Sequence, residues 1–97
     1  ENVYSTEVEN ALYEHPAVLE AAVFGLPDES WGESVNAAVV LKLGHAVSAQ
    51  ELQQHCRARI AAYKTPRAIE FLAELPKTGS GKIAKQALRA RKARGAP

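Results

Sequence analysis

Apolar residues change their spacing along the chain, and each change marks an element. From Ser5 onward, Val8, Ala11 and Leu12 recur at helical spacing. Thr6 is placed to cap this helix, and Glu9, three residues on, completes a capping box for the free backbone N–H groups. His15-Pro16 ends it, because the residue before a proline is pushed out of helical geometry. Val18 to Phe24 reads as a largely buried strand, closed by the turn signal Gly25-Leu26-Pro27-Asp28. After Trp31-Gly32, Val35, Ala37, Val39 and Leu41 alternate with Asn36, Ala38, Val40 and Lys42, the period of a second strand able to pair with the first.

Gly44-His45 closes that strand, and Ser48 with Glu51 forms a further capping box. Leu52, Cys56 and Ile60 then recur every four residues along a helix that faces the sheet, with Arg57 and Arg59 flanking the stripe as a solvated face. Thr65-Pro66 breaks the chain, Ala68 to Phe71 forms a short strand, and a Gly- and Lys-rich loop leads to a basic helix from about Ile83. The sum is an α+β domain, a small sheet of about three strands with helices packed mainly on one face. So small a sheet leaves no room for a large apolar ligand pocket, so function is expected in loops and edges completed by another domain.

Length agrees with this, since 97 residues bury one small core and make one domain, residues 1–97. The opening Glu1-Asn2-Val3-Tyr4 lacks an initiator methionine and runs straight into a helix signal, so the sequence reads as a fragment of a longer protein. No apolar run is long enough to span a bilayer and no signal-peptide pattern opens the chain, which predicts a cytoplasmic protein. The single cysteine, Cys56, lies on an apolar stripe and has no zinc-site spacing, so it predicts core packing, with no disulfide and no metal. His15, His45 and His55 show no ligand or general-base spacing and read as structural or solvated.

Charge divides the chain. Residues 1–33 hold eight acidic side chains and no Lys or Arg, whereas residues 34–97 hold all 12 basic ones and three acidic. From Lys82 onward there are six basic residues and no acidic one, a run suited to an anionic ligand or an acidic surface. Nucleic acid fits poorly, because the aromatics Tyr4, Tyr13, Phe24, Trp31, Tyr63 and Phe71 are not interleaved with that run as a stacking platform requires.

The segment Pro76-Lys77-Thr78-Gly79-Ser80-Gly81-Lys82-Ile83 carries the chemistry. Two glycines and small hydroxyl residues give a mobile, unhindered loop that presents a lysine at its end, while Lys77 is expected to face solvent. This is not a Walker A loop, which needs four residues between its first glycine and the Gly-Lys pair and a Ser or Thr after the lysine; here Ile83 follows.

Leu75 to Ile83 resembles the last signature of the adenylate-forming superfamily of acyl- and aryl-CoA synthetases, luciferases and peptide-synthetase adenylation domains. Three further stretches resemble the same family in the right order: Glu1-Asn2-Val3-Tyr4 with Glu7-Val8-Glu9, Val23 to Glu33, and Ala62-Tyr63-Lys64-Thr65-Pro66. The resemblance implies the small C-terminal domain of an ATP-dependent acid–CoA ligase. Its partners would be a large N-terminal domain holding the acid pocket and Mg2+, a carboxylic acid, ATP and CoA. Lys82 would be the catalytic lysine of adenylation, contacting the substrate carboxylate and the ribose and phosphate oxygens of the forming adenylate. After rotation about a hinge, a second face would serve thioester formation. There Glu1 and Asn2 would lie at the pantetheine tunnel, and Trp31, Tyr63, Lys64 and Arg67 near the CoA nucleotide, although the position before Pro66, basic in some relatives, is Thr65. The fragment alone is then expected to be inactive. Two other functions are weighed: an adenylation domain loading a carrier protein's phosphopantetheine arm, and a nucleic-acid module using the basic terminal helix.

Overall fold

The computed structural model describes residues 3–30 and 32–94. In chain order the elements are helix α1 (Val3–Tyr13), strands β1 (Val18–Asp28) and β2 (Gly32–Leu41), helix α2 (Ala49–Arg57), a 3-10 turn (Ala62–Lys64), strand β3 (Ala68–Phe71) and helix α3 (Lys85–Ala93). The sheet runs β1-β2-β3, with β1 antiparallel to β2 and β2 parallel to β3. A parallel pair needs a crossover connection, and α2 supplies it. β1 continues through the residues expected to turn: Gly25 pairs with Val35 and Asp28 with Gly32, so the reversal falls beyond Asp28.

Each face of the sheet has its own core. On one, Val8, Ala11 and Leu12 of α1 and Leu52 and Cys56 of α2 pack on Val23, Ala37 and Val39. On the other, Leu88 of α3 and Leu75 pack on Ala22, Phe24, Ala38 and Val40. Two helices thus share one face as expected, while α3 covers the reverse, where small Ala22 and Ala38 lie beneath it. The alternation of β2 does not separate core from solvent, since Ala38 and Val40 are as buried as Ala37 and Val39. Leu12, Leu52 and Leu88 are at most 1% exposed, and each such burial is worth about 1.5–3 kcal/mol against leaving the side chain in water. A register shift between Val18 and Glu20 leaves Leu19 unpaired and half exposed.

The capping box expected at Thr6 and Glu9 is absent, because the helix already begins at Val3. The Glu9 carboxylate instead accepts from the Val23 N–H at 2.8 Å and pairs with the Lys85 ammonium at 2.9 Å. One helical turn on, the Tyr13 hydroxyl accepts from the Ala21 N–H at 3.1 Å. β1 is an edge strand whose outer N–H groups need partners, and these two side chains supply them. The expected capping box at Ser48 and Glu51 is formed, with both of its hydrogen bonds present. Ile60 lies beyond the end of α2 yet still packs against the first core.

Candidate functional site

Lys82 sits on a hairpin between β3 and α3. Lys77 and Ile83 form an antiparallel bridge, the Thr78 N–H donates to the Lys82 carbonyl at 2.7 Å, and the Gly81 N–H donates to the Thr78 carbonyl at 2.9 Å. Gly81 takes φ +87°, the left-handed conformation that a three-residue hairpin loop requires at its last position. The Thr78 hydroxyl accepts from the Lys82 N–H at 3.2 Å and lies 3.0 Å from the Ser80 hydroxyl. The segment is therefore a hydrogen-bonded turn, where glycine content alone predicts an open loop. Its hydroxyls hold the turn in place. Lys82 is exposed, and among the described residues no carboxylate or hydrogen-bond acceptor engages its ammonium. Lys77, expected in solvent, pairs with Glu20 at 3.2 Å and so fastens the hairpin base to β1.

Of the residues expected near CoA, Tyr63 and Arg67 line a groove elsewhere, and Lys64 lies outside its lining. Tyr63, Thr65 and Arg67 line an open groove with Gln53 and Arg57 of α2 and Glu33 of β2. Leu52 and Cys56 enter the core, so Gln53 and Arg57, each one residue further round and one turn apart, share the groove face. The Gln53 side-chain amide donates to the Pro66 and Arg67 carbonyls at 3.0 and 3.1 Å, which holds the segment after the 3-10 turn against α2. The Tyr63 ring is 79% exposed, with the Lys64 ammonium 5.7 Å from its centroid. That ammonium pairs with Glu7 at 2.7 Å, and this hydrogen bond raises Lys64 above its ordinary pKa. Arg67 pairs with Asp28 at 3.1 Å, while the other Asp28 oxygen accepts from the Ser30 N–H at 2.9 Å, an Asx turn at the β1–β2 reversal. Thr65, only 5% exposed, has a buried hydroxyl with no hydrogen-bond partner among the described residues. An unmet buried polar group of this kind costs about 1–3 kcal/mol.

The structure brings Tyr63, Arg67 and Thr65 to one groove and keeps Lys82 on a separate hairpin. Trp31, Glu1 and Asn2 lie outside the described residues. Gln53 is a groove residue without a role in the sequence, and Arg57, expected on a solvated face, lines the groove with it; their spacing of four, one step from the apolar stripe, places them on a single helix face. Cys56 is fully buried and burial pushes its thiol pKa up, as core packing requires. His15 and His55 meet edge to face, their ring centroids 5.1 Å apart, at the α1–α2 contact. Of the basic terminal run, Lys85 and Arg91 pair with Glu9 and Glu70, and Arg89 donates to the Gly25 carbonyl. Among the described residues no three His, Cys, Asp or Glu side chains converge to hold a metal ion, and no helix is long and apolar enough to cross a membrane.

Fold and hairpin together define the small α+β domain found in acyl-CoA synthetases. The Brucella canis acyl-CoA synthetase structure superposes on 94% of this chain with a TM-score of 0.86 and 45% identity, using 17% of its own length. The profile of the AMP-binding enzyme C-terminal domain matches residues 7–82, ending on Lys82, and the chain belongs to that family. The long-chain-fatty-acid–CoA ligase of Bacillus subtilis is 52% identical over 87 residues, covering 90% of this chain and 16% of the ligase. A feruloyl-CoA synthase of an Amycolatopsis species is 48% identical over 91 residues, covering 94% of this chain and 18% of the synthase. The chain thus spans less than a fifth of the length of these relatives.

Proposed function

We propose that this chain works as the C-terminal domain of an ATP-dependent carboxylic acid–CoA ligase and contributes Lys82 to acyl-adenylate formation. The observation that carries the reading is an exposed ammonium without a partner among the described residues, held on a hydrogen-bonded hairpin in a member of this family. In the first half-reaction a carboxylate oxygen attacks the α-phosphorus of ATP, a new O–P bond forms and pyrophosphate leaves. Two anions must approach each other. A compact ammonium between them orients both and offsets the charge that develops, most effectively where water is excluded by a second domain. Lys82 itself forms no covalent bond.

In the second half-reaction the CoA thiol attacks the acyl carbonyl and AMP leaves. The domain turns about the hinge before this step, so that the groove face replaces the hairpin at the reaction centre. Tyr63 offers an exposed ring on which adenine can stack and Arg67 a guanidinium for phosphate, with Trp31 and the Glu1-Asn2 segment as further contacts to nucleotide and pantetheine. The described residues do not fit a magnesium site, and no step here passes through one. The acid is selected by side chains outside this chain, in keeping with fatty-acyl and feruloyl relatives of similar identity.

The test separates the half-reactions in the complete ligase. Lys82→Ala is expected to lower acid-dependent pyrophosphate release by about 10²-fold or more, while thioester formation from preformed acyl-adenylate and CoA changes far less. Equal loss in both steps would show that Lys82 supports structure only.

A further inference from the structure

We propose that Glu9 and Glu20 are positioning residues for Lys82, two carboxylates that hold the chain on either side of it and fix the angle of its hairpin to the sheet. This rests on the reading of Lys82 as the adenylation lysine. The charge division of the sequence has a structural counterpart: acidic side chains from residues 1–33 pair with cations of the later part, Glu7 with Lys64, Glu14 with Arg59, Asp28 with Arg67, Glu20 with Lys77 and Glu9 with Lys85. Lys77 precedes Lys82 on the hairpin and Lys85 follows it at the start of α3, so the ammonium groups flanking Lys82 are both engaged. Both carboxylates act at β1. Glu20 belongs to that strand, and the Glu9 oxygen that pairs with Lys85 at 2.9 Å also accepts from the Val23 N–H at 2.8 Å. The Glu9 and Lys85 side chains are only 20 and 21% exposed, so solvent screens this pair less than a fully exposed one.

Hydrogen bonds within the turn place Lys82 on the hairpin, but they leave the angle of the hairpin to the sheet open. Ile83 and Leu88 press on the second core, and apolar contact is non-directional, so it resists separation far more than tilting. Ion pairs ahead of and after the lysine resist tilting, because a swing about one of them stretches the other. The angle matters because a charge that must lie between two reacting anions loses much of its effect when displaced by about 1 Å. The same pairs occupy Lys77 and Lys85 with carboxylates of this domain. Lys82, which no carboxylate engages among the described residues, is left to meet the incoming anions.

The complete ligase tests this with its two half-reactions measured apart. Glu9→Gln keeps an oxygen for the Val23 N–H and removes the charge that holds Lys85. It is expected to slow acid-dependent pyrophosphate release about threefold, Glu20→Gln to do the same, and the double variant to slow it about tenfold. Thioester formation from preformed acyl-adenylate and CoA should be unchanged in all three. Exchanging the charges in Glu20→Lys with Lys77→Glu should restore most of what Glu20→Lys alone loses. Unaltered pyrophosphate release in the double variant, with Lys82→Ala still lowering it, would overturn the positioning role and leave the Lys82 reading intact. Unaltered release in Lys82→Ala as well would overturn both. Equal losses in the two half-reactions would reduce Glu9 and Glu20 to general supports of the fold, and a charge exchange without recovery would overturn the assignment of Glu20 through its pair with Lys77.

Discussion

The Lys82 hairpin and the α2 groove are both exposed, and they direct their hydrogen bonds differently. The backbone bonds of the hairpin close within residues 76–84, including the Ala84 N–H to the Pro76 carbonyl at 2.8 Å. The Lys77–Glu20 pair and the packing of Ile83 on the second core tie its base to the sheet. The groove is assembled from distant segments: Gln53 reaches Pro66 and Arg67, Lys64 reaches Glu7, and Arg67 reaches Asp28. A local turn sets the position of one charge, whereas a long-range assembly sets a surface and neutralises most of its own cations. Under the proposed function, one half-reaction depends on a single side chain and the other on an arrangement.

The strongest way to break this contrast, after removal of Lys82 itself, is at Gly81. A Cβ there would meet no neighbouring atom within 4 Å, so the cost of Gly81→Ala is conformational: at φ +87° an L side chain strains the backbone. That penalty is about 1–2 kcal/mol, and it should lower the rate of adenylate formation about tenfold. KM for CoA should stay the same, because no groove contact passes through the hairpin. Pyrophosphate-release and CoA-saturation kinetics on one preparation check both halves. A shift in KM for CoA would show that hairpin and groove are coupled.

The same contrast explains what could be read from the sequence. Lys82 was legible because its determinants are consecutive: glycine, small hydroxyl residues and the lysine occupy one short stretch. β3 was legible at its observed bounds because Thr65-Pro66 breaks the chain ahead of it and the turn residues follow. Glu9 misled, because a capping box and a clamp on a strand edge use the same side chain, and only the position of β1 beside α1 decides between them. The burial of Ala38 and Val40 on the second face was hidden for a similar reason. Alternation gives two faces but not what covers each, and the cover here is Leu88, some 50 residues away. Arg57 carried a usable signal in its spacing from Gln53, but a charged residue beside an apolar stripe looks the same whether it faces open solvent or lines a groove.

A smaller effect would sharpen the groove half of the comparison. Asp28→Asn keeps an oxygen for the Ser30 N–H and removes the carboxylate that holds Arg67. An exposed pair of this kind adds little to stability, yet it competes with any incoming phosphate for the guanidinium. KM for CoA is expected to fall about two- to threefold at low ionic strength and to approach the wild-type value in high salt. Steady-state kinetics at two salt concentrations measure it. A raised KM at both would mean that Asp28 serves by orienting Arg67.

The smallest expected effect concerns pH and again separates the two regions. α2 is tied to α1 through the His55 Nε2–H and the Ala11 carbonyl at 2.6 Å, and His15 packs on the His55 ring while its Nδ1 accepts from the Ala17 N–H at 3.0 Å. An Nδ1 that accepts a hydrogen bond carries no proton. Burial first, and the neighbouring His55 second, hold His15 below its usual 6.5; Arg59 and His45 act in the same sense and Glu51 against it. The unfolded segment therefore binds a proton more readily than the folded one as pH falls through 6.5. The contribution of His15 is full above that value, is lost progressively below it, and levels off once the folded imidazole is also protonated. Hydrogen-exchange protection of α2 amides in the complete protein, corrected for the intrinsic rate, should decline between about pH 7 and pH 5.5. Amides of the 77–83 hairpin should show no such change. His15→Asn should flatten the decline in α2, and a decline that persists in this variant would transfer the titration to another group at the same helix contact.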